Sequence, residues 1–163
     1  MSEKRMNTNF KIQGLNREMF SSLFTLSDEE LAKRNITRKT VDKANAFPCR
    51  VSLEDAEVGE SVLLLSFEHL KTNSPYNSAG AIFIRENARI AEIAENEIPD
   101  MLTRRLLSLR AYDKNEAMIQ ADVINGTELK NVLHQWLENT DIDYIHIHNA
   151  KPGCYSCLVK RSV

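Results

Sequence analysis

The pattern of apolar and polar residues predicts the strands of this chain. Phe10 and Ile12 alternate with polar neighbours, as in a strand with one buried face. The continuous apolar run over residues 62–67 predicts a central strand. Three further strands are predicted at residues 80–85, 106–112 and 118–124. A short polar turn separates the last two, which favours an antiparallel pair.

Capping residues and helical spacing predict three to four helices. Asn16 can cap a first helix, and Ser27 with Glu30 has the form of a capping box before a second, short helix. Pro99 marks the start of a third short helix. The clearest helix covers residues 127–139. Its apolar residues at helical spacing are Leu129, Val132, Leu133, Trp136 and Leu137.

The last segment, YIHIHNAKPGCYSCLVKR, predicts a C-terminal β-hairpin with a turn at Pro-Gly. In its first strand His146 and His148 share one face, and the isoleucines beside them point to the other face, which is the expected core side. The turn residues do not fix the register. A loop with an even number of residues places Cys157 on the histidine face, whereas a three-residue loop places Cys154 there.

The uneven distribution of strands and helices predicts a single α+β domain with a mixed, mostly antiparallel sheet. We expect the domain to cover residues 10–163, with residues 1–9 as a flexible tail. The 163 residues are 42% hydrophobic and 27% charged, which is typical of a globular domain that needs no disulfide or metal for its core.

Charge and the absence of long apolar segments exclude several classes of partner. The 21 Lys and Arg residues are interspersed among 23 Asp and Glu residues, so we expect no nucleic-acid binding. No stretch resembles an export signal or a membrane span, so we expect a cytoplasmic protein without a membrane partner. Three cysteines in such a chain are expected to stay reduced.

Thiol chemistry is the first candidate activity. Cys154 or Cys49 would be the nucleophile, and His146 or His148 the base or orienting group, because a neighbouring imidazole can hold a thiol in its reactive form. The alternative is that the cysteines are small buried residues.

The spacing of the histidines and cysteines argues against a metal site. His-x-His and Cys-x-x-Cys supply ligands that zinc accepts, but residues i and i+3 of a strand face opposite sides. We therefore predict no metal ligand, and no known cofactor motif is present, so no cofactor is predicted. His69 and His134 lack a partner at a suitable spacing and are assigned structural or surface roles.

Arginines inside apolar strand runs suggest an anion site. Arg50, Arg85 and Arg110 carry forked donors that suit a carboxylate or phosphate, and Asn149 and the loop residue Tyr76 are expected beside them. A cleft that binds a small anionic ligand is the favoured function. Pairing of each arginine with a nearby acid is the alternative for these side chains, and a structural or interaction protein without a pocket is the third functional class.

Four segments of the chain resemble a bacterial family catalogued as domain of unknown function 1203 (DUF1203). They are FPCRVSLEDAEVGE, SPYNSAGAIFIRE, LLSLRAYD and YIHIHNAKPGCYSC, and the resemblance runs from about Phe10 to Arg161. It implies kinship and no mechanism. The residues that it implies belong to the family pattern are Cys49, Arg50, Tyr76, Arg85, Arg110, His146, His148, Asn149, Gly153 and Cys154. Cys157 is less characteristic of the family, which leaves Cys154 as the principal thiol.

Overall fold

The computed structural model describes residues 7–163. Eight strands in this part of the chain are β1 (Phe10–Gln13), β2 (Thr37–Thr40), β3 (Ser61–Leu70), β4 (Ser78–Arg85), β5 (Leu106–Tyr112), β6 (Met118–Asn125), β7 (Tyr144–Asn149) and β8 (Tyr155–Arg161). Three α-helices are α1 (Asp28–Lys33), α2 (Asp100–Thr103) and α3 (Leu129–Trp136). Short 3-10 helices cover Arg17–Met19, Ser21–Thr25 and Gly126–Glu128.

The strands form two sheets rather than the single sheet that the sequence suggested. Five strands pair in the order β1-β8-β7-β5-β6, and three pair in the order β2-β3-β4. Every paired strand is antiparallel, which confirms the mostly antiparallel prediction. An isolated bridge between Cys49 and Phe83 is parallel. The division into two sheets depends on long-range pairing, which local alternation does not encode.

One face of the five-stranded sheet packs on α2 and α3. Ile145 and Ile147 lie in this core together with Leu133 of α3, so the expected core face of β7 is confirmed. The central position of β7 leaves both of its faces covered, and all six of its residues are buried. The histidine face of β7 therefore points at the three-stranded sheet and not at solvent.

Capping and proline signals in the sequence correctly place α1 and α2. Of the other two predicted helices, one forms 3-10 turns and the other is shorter than expected. The side-chain oxygen of Ser27 accepts a hydrogen bond from the amide of Glu30 at 3.2 Å, as the capping motif predicts. Asn16 caps the first of two consecutive 3-10 turns, which replace the predicted continuous helix. The predicted helix over residues 127–139 is α3 preceded by a 3-10 turn.

A β-bulge sets the register of the C-terminal hairpin. Ile147 lies opposite Cys157, but His148 lies opposite Tyr155, so Ser156 is an extra residue in β8. The bulge puts Tyr155 on the histidine face and Cys157 on the core face. Simple parity across the loop could not anticipate this outcome, because it assumes an unbroken ladder.

The first six residues of the predicted flexible tail lie outside the described residues. Of the remaining three, Asn7 donates its side-chain amide to the carbonyl of Ser162 at 2.8 Å, and Asn9 accepts from the amide of Ser162 at 2.9 Å. Across residues 7–163, no helix is both long enough and apolar enough to cross a membrane.

Candidate functional site

A cleft of about 700 Å³ lies between the three-stranded sheet and the turn of the C-terminal hairpin. Leu64 and Phe83, which are register partners on β3 and β4, form part of its wall. The polar lining comes from residues that are far apart in the sequence. These residues are Asn45, Arg50, Arg104, Arg105, Asn149, Lys151 and Cys154. The volume is that of an ordinary small-molecule pocket.

Arg50 is a buried cation in the wall of this cleft. Its side chain is held by three acceptors: the carbonyl of Tyr155 at 2.8 Å from Nε, the carbonyl of Pro48, and the sulfur of Cys154 at 2.9 Å from Nη2. Arg50 is 1% exposed and forms no salt bridge with any carboxylate among residues 7–163. Burial lowers the pKa of the Arg50 guanidinium, and interaction with Cys154 opposes that shift. An arginine stays protonated in proteins, so the cleft wall carries an uncompensated positive charge.

Cys154 is a half-buried thiol at the cleft surface. Besides the contact with Arg50, its sulfur lies 3.8 Å from the side-chain nitrogen of Asn149. The oxygen of that same amide is buried and has no hydrogen-bond partner within the described part of the chain. Two N–H donors thus converge on one sulfur, an arrangement that stabilises negative charge at this point.

A second group of charges forms the rim of the cleft. The carboxylate of Asp55 pairs with Arg105 at 2.6 Å and with Arg104 at 3.0 Å, so one negative charge faces two positive charges. Lys151 is exposed in the hairpin turn. None of the lining residues from the described segment 7–163 is acidic. The cleft is therefore cationic.

Three histidines form a separate cluster between the two sheets. His69 of β3 lies with His146 and His148 of β7, and one ring nitrogen from each lies within 4.8 Å of the others. The ring of Tyr155 stacks on His69 with centroids 5.1 Å apart. The His148 Nδ1–H donates to the carbonyl of Gly153 at 3.0 Å.

Burial keeps these imidazoles neutral. Desolvation is the main cause that lowers the pKa of His146 to about 3 and that of His148 to about 4, and it also lowers the pKa of His69. Arg110 adds a smaller electrostatic effect in the same direction at all three. Arg110 is the register partner of His146 on β5, so their side chains share the face of the sheet on which the cluster lies.

The apolar run that predicts this strand ends at residue 67, whereas β3 continues to Leu70, so the sequence pattern leaves His69 outside the strand. The spacing of His69 from Phe67 indicates its position on the strand. Phe67 and His69 are two residues apart, and both pack against Tyr155. The spacing of two would have placed His69 on the same side of the strand as an aromatic residue of the sheet interface.

The three arginines predicted within strand runs do not meet in one cleft, and Arg50 lies in a turn rather than in a strand. Only Arg50 lines the cleft. Arg85 pairs with Glu60 at 2.9 Å, an acid distant in sequence, and Arg110 lies beside the histidines. Tyr76 lies 6.3 Å from the ring of Tyr112, away from the cleft.

The three cysteines are also separate. Cys49 is fully buried, and its sulfur accepts from the backbone amide of Arg85 at 3.4 Å. Cys157 is buried in the core, where desolvation raises its pKa to about 12. Between residues 7 and 163, no cysteine sulfur is hydrogen-bonded to an imidazole, and the His-x-His and Cys-x-x-Cys ligands do not come together as one set.

Comparison with known protein families gives a match. The model of a family described as "Protein of unknown function (DUF1203)" matches residues 46–161. Except for Asn45, this range contains the polar residues of the cleft, together with the three clustered histidines. No curated protein and no solved structure matches the chain.

Proposed function

Since the chain belongs to the DUF1203 family, whose description assigns no function, we propose a function from its own side chains: the cleft at Arg50 binds a small anionic molecule. The observation that carries this proposal is the buried Arg50 guanidinium, which has no carboxylate partner in residues 7–163. A buried charge without a counter-charge is unfavourable, and an anion in the cleft would supply one.

The surrounding charges support the same class of ligand. Arg104, Arg105 and Lys151 line the cleft, and Asp55 offsets only one of these charges. A guanidinium fork suits a carboxylate or a phosphate group, and the apolar wall at Leu64 and Phe83 would contact the uncharged part of the ligand.

Inorganic phosphate is the simplest probe of this proposal. We expect phosphate to raise the thermal unfolding midpoint above that in chloride at equal ionic strength, because a ligand that binds only the folded state stabilises it. Lys151→Ala should weaken phosphate binding about fivefold, which corresponds to about 1 kcal/mol. Lys160→Ala is the matched control, since Lys160 is an exposed lysine of β8 outside the cleft. Equal thermal midpoints in phosphate and in chloride, or an equal loss of phosphate binding in the two variants, would contradict the proposal.

A thiol-dependent activity is the second candidate, and the contact between Arg50 and Cys154 favours it. A cation that donates to sulfur stabilises the thiolate, which is the nucleophilic form. In this arrangement Arg50 is the group that activates the thiol of Cys154. A role for His146 or His148 as the base stays a prediction.

Alkylation by iodoacetamide, with mass spectrometry to identify the modified residue, tests this candidate. The same cysteine in the urea-unfolded protein is the control. We expect Cys154 to react faster in the native protein than in the unfolded chain at the same pH, because only the fold brings Arg50 to its sulfur. A slower native reaction would show an unactivated thiol and leave the anion site as the sole candidate.

A further inference from the structure

The three-histidine cluster between the sheets contains more unpartnered polar atoms than a protein interior normally tolerates. Four buried ring nitrogens lack a hydrogen-bond partner in the described part of the chain: both nitrogens of His69, Nδ1 of His146 and Nε2 of His148. Buried polar groups are almost always paired, so such a group needs an explanation. All four belong to the same cluster, and one ion that takes one nitrogen from each ring would be the partner of three of them.

We infer that His69, His146 and His148 form a binding site for a divalent transition-metal ion of the zinc class. Imidazole nitrogen is an ordinary ligand of such ions. The inference is independent of the anion site, since none of the three histidines lines that cleft.

The distances fit a site that closes by small side-chain rotations. Since the three ligand atoms lie within 4.8 Å of one another, some point is no more than about 2.8 Å from each of them. This is about 0.7 Å beyond the usual zinc–imidazole bond of 2.0–2.1 Å. Side-chain rotations that move the ring nitrogens by a few tenths of an ångström to about 1 Å would bring them to bonding distance.

The hydrogen bond at His148 fixes which nitrogen is free. A carbonyl can only accept, so the bond from His148 to Gly153 places the proton on Nδ1 and the lone pair on Nε2. Metal-binding histidines typically donate their other ring N–H to a carbonyl or carboxylate, which orients the ring. In His148 the nitrogen left without a partner is the one that carries the lone pair.

The charged groups beside the cluster indicate which kind of ligand would occupy the fourth coordination position. No cysteine or carboxylate joins the three histidines among residues 7–163, and Arg110 is the nearby cation. Three protein ligands with an open fourth position are typical of catalytic rather than structural zinc sites. Hydroxide or another anion in that position would offset the repulsion between the metal ion and Arg110.

Cobalt(II) titration of the chelator-treated full chain tests this inference, because cobalt(II) replaces zinc and absorbs visible light. We expect saturation at one equivalent, displacement by zinc, and a spectrum without the near-ultraviolet charge-transfer band of a cobalt–thiolate bond. Each of His69→Gln, His146→Gln and His148→Gln should weaken cobalt binding by at least about tenfold. His134→Gln is the matched control, since His134 is the fourth histidine of the chain and lies outside the cluster.

Three results would overturn the inference. One is the absence of cobalt binding by the unmodified protein, which would leave ordered water as the partner of the imidazoles. Another is a thiolate band, which would place the metal at a cysteine. The third is an equal loss of cobalt binding in His134→Gln and in the variants of the three clustered histidines. Two of these outcomes are read on the unmodified chain, so they hold even where a variant fails to fold.

Discussion

Gly126 is the position where one added methyl group should have the largest effect on stability. A Cβ built there lies 1.9 Å from the carbonyl oxygen of Leu102 and 2.8 Å from that of Arg105. The backbone amide of Gly126 also donates to the carbonyl of Arg105 at 2.8 Å. The close approach joins the start of the 3-10 turn before α3 to the end of α2, and only glycine permits it.

The geometry sets the size of the effect of Gly126→Ala. The Cβ must move about 1.5 Å from the Leu102 oxygen to reach an ordinary 3.4 Å contact, and the blocking atoms are backbone. Overpacking of this kind costs about 3 kcal/mol, and loss of the hydrogen bond to Arg105 costs about 1 kcal/mol more. We expect a loss of about 4 kcal/mol and a thermal midpoint lower by about 10 °C.

Urea unfolding followed by fluorescence measures this loss. Trp136 is the only tryptophan of the chain and is 7% exposed on α3, so its emission should change on unfolding. Gly80→Ala is the control, since a Cβ at Gly80 meets no atom within 4 Å, and we expect a change within about 0.5 kcal/mol. If both variants unfold at the same urea concentration, the crossing between α2 and the 3-10 turn is not as tight as described.

Three further changes test other contacts. Asp55→Asn removes the nearly buried charge that pairs with two arginines and should lower the free energy of unfolding by about 2–3 kcal/mol in urea, whereas Glu57→Gln at an exposed position should have little effect. Ser27→Ala removes the cap of α1 and should cost about 1 kcal/mol by the same measurement, and equal stability of the exposed control Ser22→Ala would refute a capping role. Burial raises the pKa of Cys157 from 9.0 to about 12. The preference of the folded state for the neutral thiol therefore contributes to the free energy of unfolding below the ordinary thiol pKa, and this contribution is lost as the pH rises towards 12. Unfolding midpoints of Cys157→Ala should therefore fall less steeply with alkaline pH than those of the unchanged chain, and parallel curves would contradict this.

Local structure was largely predictable from the sequence because its signals are local. Strand-like sequence patterns located β1, β5 and β6, and the side-chain oxygen of Ser27 marked the start of α1. The division into two sheets was not predictable in this way. It depends on which strands pair over long separations, and the polar residues of β2 carry no apolar alternation at all.

The candidate sites were predictable only in part, for a related reason. His146 and His148 share a face by strand geometry alone. Their neighbour His69 comes from the other sheet, at the end of a strand that extends beyond its apolar run. Arg104 and Arg105 were missed because their role in the cleft depends on the turn after α2 and on Asp55, a residue distant in sequence.

The bulge at Ser156 makes the length of the hairpin as important as its composition. If the same residues paired without the bulge, Ser156 would lie opposite His148, and Tyr155 would move away from the imidazoles to the opposite face. Loss of the bulge would therefore replace the ring of Tyr155 by the small hydroxyl of Ser156 beside the imidazoles, although every side chain involved would still be present. Natural variation in this segment is expected to consist of substitutions at constant length, while insertions and deletions should be confined to the exposed turn at Lys151 and Pro152.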